Sequence, residues 1–258
     1  VQIMDRTSAT TVFALHFLGG SAREWEAVAE RLPPNLRLMA LDLPGFGDAA
    51  GSGGHDVAAM ADHVAGQIRA QAPRRWMLAG HSMGAKVAAA IARRAEDGAP
   101  GLSGLAGLVT LAGSPPSPEP MAEERRRRML GWFAGPAEQS RAEAEGFIDA
   151  NTASRLPDPL RELAVEDVLR ADRAAWMAWL ERGSREDWSR RIGLLNTPAL
   201  VLAGEADSDL GPDAQRRLMA PYFSAAKLAT VPGAAHLLPL EAPDAVAELI
   251  GGFARRAG

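Results

Sequence analysis

The chain has 258 residues, 47% of them apolar, 23% charged and 5% aromatic, with 26 Gly, 18 Pro and no Cys. A chain of this length buries roughly three quarters of its unfolded surface, so one soluble domain with room for an insert needs neither disulfides nor a metal to fold. The lack of cysteine excludes thiolate chemistry, cysteine zinc sites and iron–sulfur clusters, and 28 basic against 32 acidic residues leave no basic footprint for nucleic acid.

Apolar runs rich in Val, Leu and Ala alternate with amphipathic stretches. Residues 12–18 read as a strand and 23–32 as a helix; 36–43 with 56–71, and 76–80 with 83–95, repeat the pair. A further buried strand is expected at 105–112. After a break the series resumes at 199–204, 214–223, 227–231 and 245–256 as strand, helix, strand, helix. This alternation predicts an α/β fold with a parallel sheet covered on both faces.

Residues 114–193 interrupt the rhythm and are nearly twice as rich in charge as the rest of the chain. The interval opens with Ser114-Pro115-Pro116-Ser117-Pro118 and has helical pieces at 122–133, 140–150 and 173–182. It reads as a helical cap, leaving 1–113 and 194–258 as the core. The run Arg125-Arg126-Arg127-Arg128 follows Glu123 and Glu124. Four successive helical residues point in different directions, so the run reads as a solvated surface rather than a phosphate site. No stretch holds the roughly 20 continuous apolar residues of a membrane span. No secretory signal is visible, which makes the cytoplasm the default compartment, and Val1 in place of Met leaves a removed leader open.

The chemistry concentrates at Gly80-His81-Ser82-Met83-Gly84, between a strand and a helix, which fits G-x-S-x-G in its required context. Such a sharp turn strains the serine backbone and lifts its hydroxyl above the sheet, while the glycines let neighbouring backbone pass closely. A serine hydroxyl needs a base in reach and an acid to orient that base. His236 is the only histidine after this turn, in the loop Val231-Pro232-Gly233-Ala234-Ala235-His236. His55 and His63 read as surface residues beside the 56–71 helix. His81 is badly placed to take the Ser82 proton but is a candidate to line the site. For the acid, residues 199–204 run into Glu205-Ala206-Asp207-Ser208-Asp209 at the sheet edge where active sites gather. Asp207 is the first choice, ahead of Asp209, with Glu205 third.

Nucleophile Ser82, acid Asp207 and base His236 come in the chain order of the α/β-hydrolase fold, and from about residue 12 onward the chain resembles a capped member of that superfamily. His16-Phe17-Leu18-Gly19-Gly20-Ser21, Asp42-Leu43-Pro44-Gly45-Phe46-Gly47, Gly204-Glu205-Ala206-Asp207 and Pro232-Gly233-Ala234-Ala235-His236 carry the likeness together with the serine turn. The resemblance implies an oxyanion hole built from the Met83 and Leu18 N–H groups. It also exposes a departure, because Phe17 stands where relatives commonly have the first glycine of His-Gly-x-Gly. Phe17 packing under the cap while His16 holds the turn is the structural alternative. Relatives usually carry two more strands at the front, so the sheet is expected to have six or seven strands, with residues 2–5 a candidate edge strand.

The implied activity is a serine hydrolase cleaving a small carboxylic ester or related acyl substrate through an acyl-enzyme on Ser82. Lactonases, thioesterases, carbon–carbon bond hydrolases and perhydrolases share the layout, and a non-catalytic small-ligand receptor is the reading from another class. Trp132, Trp176 and Trp179 are candidate substrate-lining residues along with Phe17 and His81. Phe133, Phe147 and Trp188 are further cap aromatics, most of the group being expected in the cap's own core. Lys86 is expected to be a solvated helix residue rather than a binder of a substrate carboxylate. No metal, flavin, nicotinamide or nucleotide is expected. The expected partner is a small-molecule acyl substrate, with no nucleic acid and no membrane, and the oligomeric state stays open.

Overall fold

Strand side chains alternate between faces, and in Thr10–Leu15 (β1) both faces are apolar. Phe13 and Leu15 join a core on one side of the sheet, Val12 and Ala14 a core on the other, and all four are fully buried. The same burial marks Trp76–His81 (β3) and Ala199–Gly204 (β5) and nearly all of Leu105–Leu111 (β4), whereas Leu36–Leu41 (β2) and Ala226–Val231 (β6) are more exposed. That difference follows from position: the strands form one parallel sheet in the order β2-β1-β3-β4-β5-β6, and the two exposed strands are its edges. The computed structural model describes residues 9–256, and six strands lie among them. The candidate strand at 2–5 falls outside the described residues.

Two layers of helix cover the sheet. Val57–Gln71 and Met83–Glu96 pack on one face, Glu26–Ala29 and Pro243–Arg256 on the other. In chain order the helices are Glu26–Ala29 (α1), Val57–Gln71 (α2), Met83–Glu96 (α3), Glu123–Leu130 (α4), Ala137–Ala150 (α5), Asp158–Arg170 (α6), Arg173–Glu181 (α7), Ser189–Ile192 (α8), Pro212–Ala214 (α9), Leu238–Glu241 (α10) and Pro243–Arg256 (α11). Five of them, α4 to α8, lie between β4 and β5, inside the charge-rich interval. Among the described residues no helix is long and apolar enough to cross a membrane.

Several boundaries differ from the sequence expectation for identifiable reasons. The first strand stops at Leu15 rather than 18, because residues 17–20 close a turn in which the Gly20 N–H donates to the Phe17 carbonyl. Helix α6 was not expected: Pro157 and Pro159 suggest a loop, yet a proline in the first helical turn lacks only an N–H that has no partner there anyway. The helix expected at 214–223 is broken instead. After α9 the chain widens into a π turn at Gln215–Met219 and tightens into a 3₁₀ turn at Ala220–Tyr222, where Pro221 has no N–H to continue the ladder.

Lys86 corrects a sequence expectation outright. It is fully buried, and its ammonium donates to the carbonyls of Gly183, Ser184 and Glu186 at 3.4, 3.2 and 3.2 Å, with the Trp179 ring 5.7 Å away. Burial presses its pKa down to about 8, against the pull of Glu119, Glu186 and Asp187. Lys86 therefore fastens the α7–α8 connection to α3 and binds no substrate carboxylate. Lys86→Met, which keeps the stem and removes the donors, is expected to lower unfolding stability by about 1–3 kcal/mol, read from the urea midpoint at constant slope.

Candidate active site

The sheet order places a switch point between β1 and β3, where successive connections leave in opposite directions. In open α/β sheets ligands bind at such a crevice, beyond the carboxyl ends of the strands. Leu15 lies beside Gly80 in the register, so the turn after β1 and the turn after β3 come out side by side. The second of these turns carries Ser82.

Ser82 has φ 49° and ψ −114°, a conformation that costs a residue with a Cβ. Three hydrogen bonds hold it there: the Ser82 N–H donates to the Leu111 carbonyl, and its own carbonyl accepts from the N–H groups of Ala85 and Ser114, all at 2.9–3.0 Å. Close packing explains the flanking glycines. A Cβ on Gly84 would sit 2.7 Å from the Leu15 carbonyl oxygen, and one on Gly80 2.6 Å from backbone atoms of Gly84 and Ala85.

His236 and Asp207 meet across the ends of β5 and β6. The His236 Nδ1 lies 2.8 Å from Asp207 Oδ2. Asp207 Oδ1 accepts from the N–H groups of Asp209 and Leu210 at 2.9 and 3.0 Å. An ionised carboxylate can only accept, so Nδ1 carries the hydrogen and Nε2 is left as the proton acceptor. Burial works against charge on Asp207, but the bond and charge of His236 with the two backbone donors prevail and hold its carboxyl at about 2. Burial likewise opposes charge on His236; the hydrogen bond and charge of Asp207 outweigh it and leave the ring above its ordinary 6.5.

Ser82 and His236 line one cleft of about 510 Å³, measured with its open mouth. No hydrogen bond joins the Ser82 hydroxyl to the ring among the described residues; such bonds are often long without substrate and tighten on binding. The walls are mainly apolar, with Phe17, Leu18, Met129, Phe147, Trp179 and Leu210 prominent. Glu119, Arg125 and Asp209 bring charge to it, and Arg125 pairs with Asp209. The N–H groups of Leu18 and Met83 donate to no protein group among the described residues, as an anion site requires.

The other residues singled out in the sequence are distributed as follows. Phe17 and Trp179 line the cleft, but Trp132, Trp176 and His81 do not. Trp176 is buried, its ring close against Gly19, and its indole N–H donates to the Met129 carbonyl at 3.0 Å. Trp132 packs in the same aromatic cluster, edge-on to Phe133 and Phe147 and tilted against Trp176. Trp188 is buried near α3 under the Arg191 guanidinium. His81 is buried behind His236. His16 holds its turn, Nδ1 donating to the Phe17 carbonyl at 2.7 Å and Nε2 accepting the Leu43 N–H at 3.0 Å. Glu205 accepts from the Gly233 N–H. The arginine run is not uniformly solvated: Arg126 is buried and donates to the Leu180 carbonyl and the Ser184 hydroxyl, because one of four successive helical positions must face α7.

Three supporting residues were not found from sequence. The Asn151 carbonyl at the end of α5 accepts the N–H groups of both His236 and Leu237, at 3.1 and 3.2 Å. Glu241 accepts from Ala235, Leu237 and Ala153. Asp167 on α6 is buried, takes the Ser21 hydroxyl at 2.7 Å, and pairs with Arg23 and Arg170. Asn151 falls just past the helical piece read at 140–150 and Asp167 in a stretch assigned to no element, so nothing in the sequence marks their partners. Among the described residues no group of three His, Asp or Glu side chains is placed to hold a metal ion.

A family model described as "Alpha/beta hydrolase family" matches residues 12–249. The pimeloyl-[acyl-carrier protein] methyl ester esterase of Pectobacterium carotovorum is 37% identical over 106 residues, 41% of this chain and 38% of that protein, so this chain spans under half the length of that relative in the match. The protein of the same name from Neisseria meningitidis is 26% identical over 248 residues, 94% of this chain and 92% of that one. Among solved structures, a thermophilic esterase from Thermogutta terrifontis superposes with TM-score 0.74 at 28% identity, covering 97% of this chain and 91% of that one. An esterase from Exiguobacterium antarcticum gives TM-score 0.82 at 18% identity, covering 96% and 92%.

Proposed function

The chain belongs to the alpha/beta hydrolase family, and from that premise we propose that it is a carboxylic ester hydrolase acting through an acyl-enzyme on Ser82. The observation that carries the reading is the Asp207–His236 hydrogen bond beside a cleft that also holds a serine at a strained strand-to-helix turn. His236 Nε2 takes the Ser82 proton as the hydroxyl oxygen attacks the ester carbonyl. The oxyanion falls to the Leu18 and Met83 N–H groups, the alkoxide leaves with the proton from His236, and water activated by the same ring releases the acid.

Methyl or short alkyl esters of an apolar acyl chain are the substrate class we assign. The curated relatives are named for a methyl ester, and Met129, Phe147 and Trp179 from residues 114–193 give the cleft apolar walls. In this reading those residues form a cap. A fluorophosphonate probe is expected to label Ser82, identified by peptide mass spectrometry. Absent labelling with tight binding of an apolar ligand would replace the hydrolase by the receptor reading.

The pH dependence has a definite sign. His236 must be neutral to accept a proton, and Asp207 lifts its pKa above 6.5. Activity is therefore expected to rise with pH through a midpoint above 6.5, with no inflection from Asp207, which stays ionised down to about 2. Measuring kcat/KM from pH 5 to 9 checks this, and a profile flat down to pH 5 contradicts it.

A further inference from the structure

Directly behind His236 lies a second acid–histidine pair that takes no part in the chemistry above. His81 and Glu24 are both fully buried, with His81 Nδ1 3.1 Å from Glu24 Oε1 and His81 Nε2 2.8 Å from the backbone carbonyl oxygen of His236. A carbonyl oxygen only accepts, so Nε2 carries a hydrogen. That leaves Nδ1 of the neutral ring as a lone pair facing a carboxyl oxygen. Two acceptors at that separation, one of them an ionised carboxylate out of reach of water, repel each other and forfeit solvation together. A proton must lie between them.

We propose that Glu24 is a neutral carboxylic acid that donates to His81, and that this Glu24–His81 pair positions the base loop by fixing the His236 main chain. The pair with the proton on Nδ1 would be a buried imidazolium and carboxylate, and several observations disfavour it. The other carboxyl oxygen, Glu24 Oε2, is buried without a hydrogen-bond partner, a heavier cost for a carboxylate than for the carbonyl end of an acid. Burial, ahead of the neighbouring His236 charge, pushes the His81 ring down to about 3, and burial pushes Glu24 well up. The groups facing the pair are mixed in sign. His16, His236 and the Phe17 backbone N–H favour charge on Glu24, whereas Asp167 opposes it; Asp207 and Glu241 favour charge on His81. None of these makes a side-chain ion pair with either residue.

The consequence for turnover rests on His236 being the base, whereas the protonation state does not, so the two are tested apart. In nitrogen-15 spectra of the wild-type protein, assigned by the signal lost in His81→Gln, the His81 ring is expected to show a bare Nδ1 and a protonated Nε2, unchanged from pH 5 to 9. An Nδ1–H tautomer, a doubly protonated ring or titration in that range overturns the proposal, whatever the activity. For positioning, Glu24→Gln supplies an N–H donor to the same Nδ1 and is expected to keep kcat within about threefold, whereas Glu24→Ala lowers kcat at least tenfold with KM little changed. Equal losses in both variants would mean that the carboxylate charge is required, and equal retention that the pair positions nothing; either overturns it.

Discussion

Ser82→Ala is expected to lower kcat/KM for a short p-nitrophenyl ester by about 10⁴-fold or more, leaving only what the cleft and the two backbone donors supply. The fold should not suffer with it. The strain at φ 49° comes from having a Cβ, which alanine keeps, and the three hydrogen bonds that hold the turn are all main-chain. Thermal unfolding should therefore shift by no more than about 0.5 kcal/mol, within the range of a substitution that breaks no buried bond. An active Ser82→Ala enzyme would remove the nucleophile and with it the acyl-enzyme.

Asp207→Asn is expected to cost nearly as much, about 10³–10⁴-fold in kcat, because it reverses the histidine tautomer. Oδ1 accepts two backbone N–H bonds from Asp209 and Leu210, so the new amide keeps its oxygen there and turns its NH₂ toward His236. Nδ1 must then accept, Nε2 takes the hydrogen, and the ring cannot receive the serine proton. The neighbouring Asp209→Asn is the control. The Asp209 carboxylate pairs with Arg125 at the cleft and makes no hydrogen bond to Ser82, Asp207 or His236, and the main-chain N–H that Asp207 accepts survives the substitution, so kcat should change by less than about threefold. Steady-state kinetics with one ester across the variants decides between them, and a larger effect at Asp209 than at Asp207 would reassign the acid.

The sheet and its serine turn were readable in the sequence because their requirements are local. A strand buried on both faces must be apolar throughout, as β3 and β5 are, and a turn as sharp as that at Ser82 demands small neighbours within two positions. The place just past a strand end marks Glu205, Asp207 and Asp209 alike, and the structure sets Asp207 against His236. What could not be read depends on partners distant in sequence. Lys86 looks like any lysine on a helix until the carbonyls of residues 183–186 are seen to converge on it. Glu24 and His81 are 57 positions apart, and nothing in either neighbourhood marks them as a pair. The aromatics of residues 114–193 stand out as a group, but period and composition cannot say that Trp179 reaches the cleft while Trp176, three residues earlier, packs on Gly19.

The carbonyl of Asn151, which receives the amides of His236 and Leu237, belongs to the segment between β4 and β5. In the proposed function, the part of the chain that shapes the substrate chamber thus also supplies a mounting point for the proton acceptor. Grafting a homologue's insert onto this scaffold would transplant that mounting along with the new chamber. A chimaera made to alter selectivity must retain the native turn around Asn151, or be optimised jointly with the loop bearing His236, for turnover to survive the exchange.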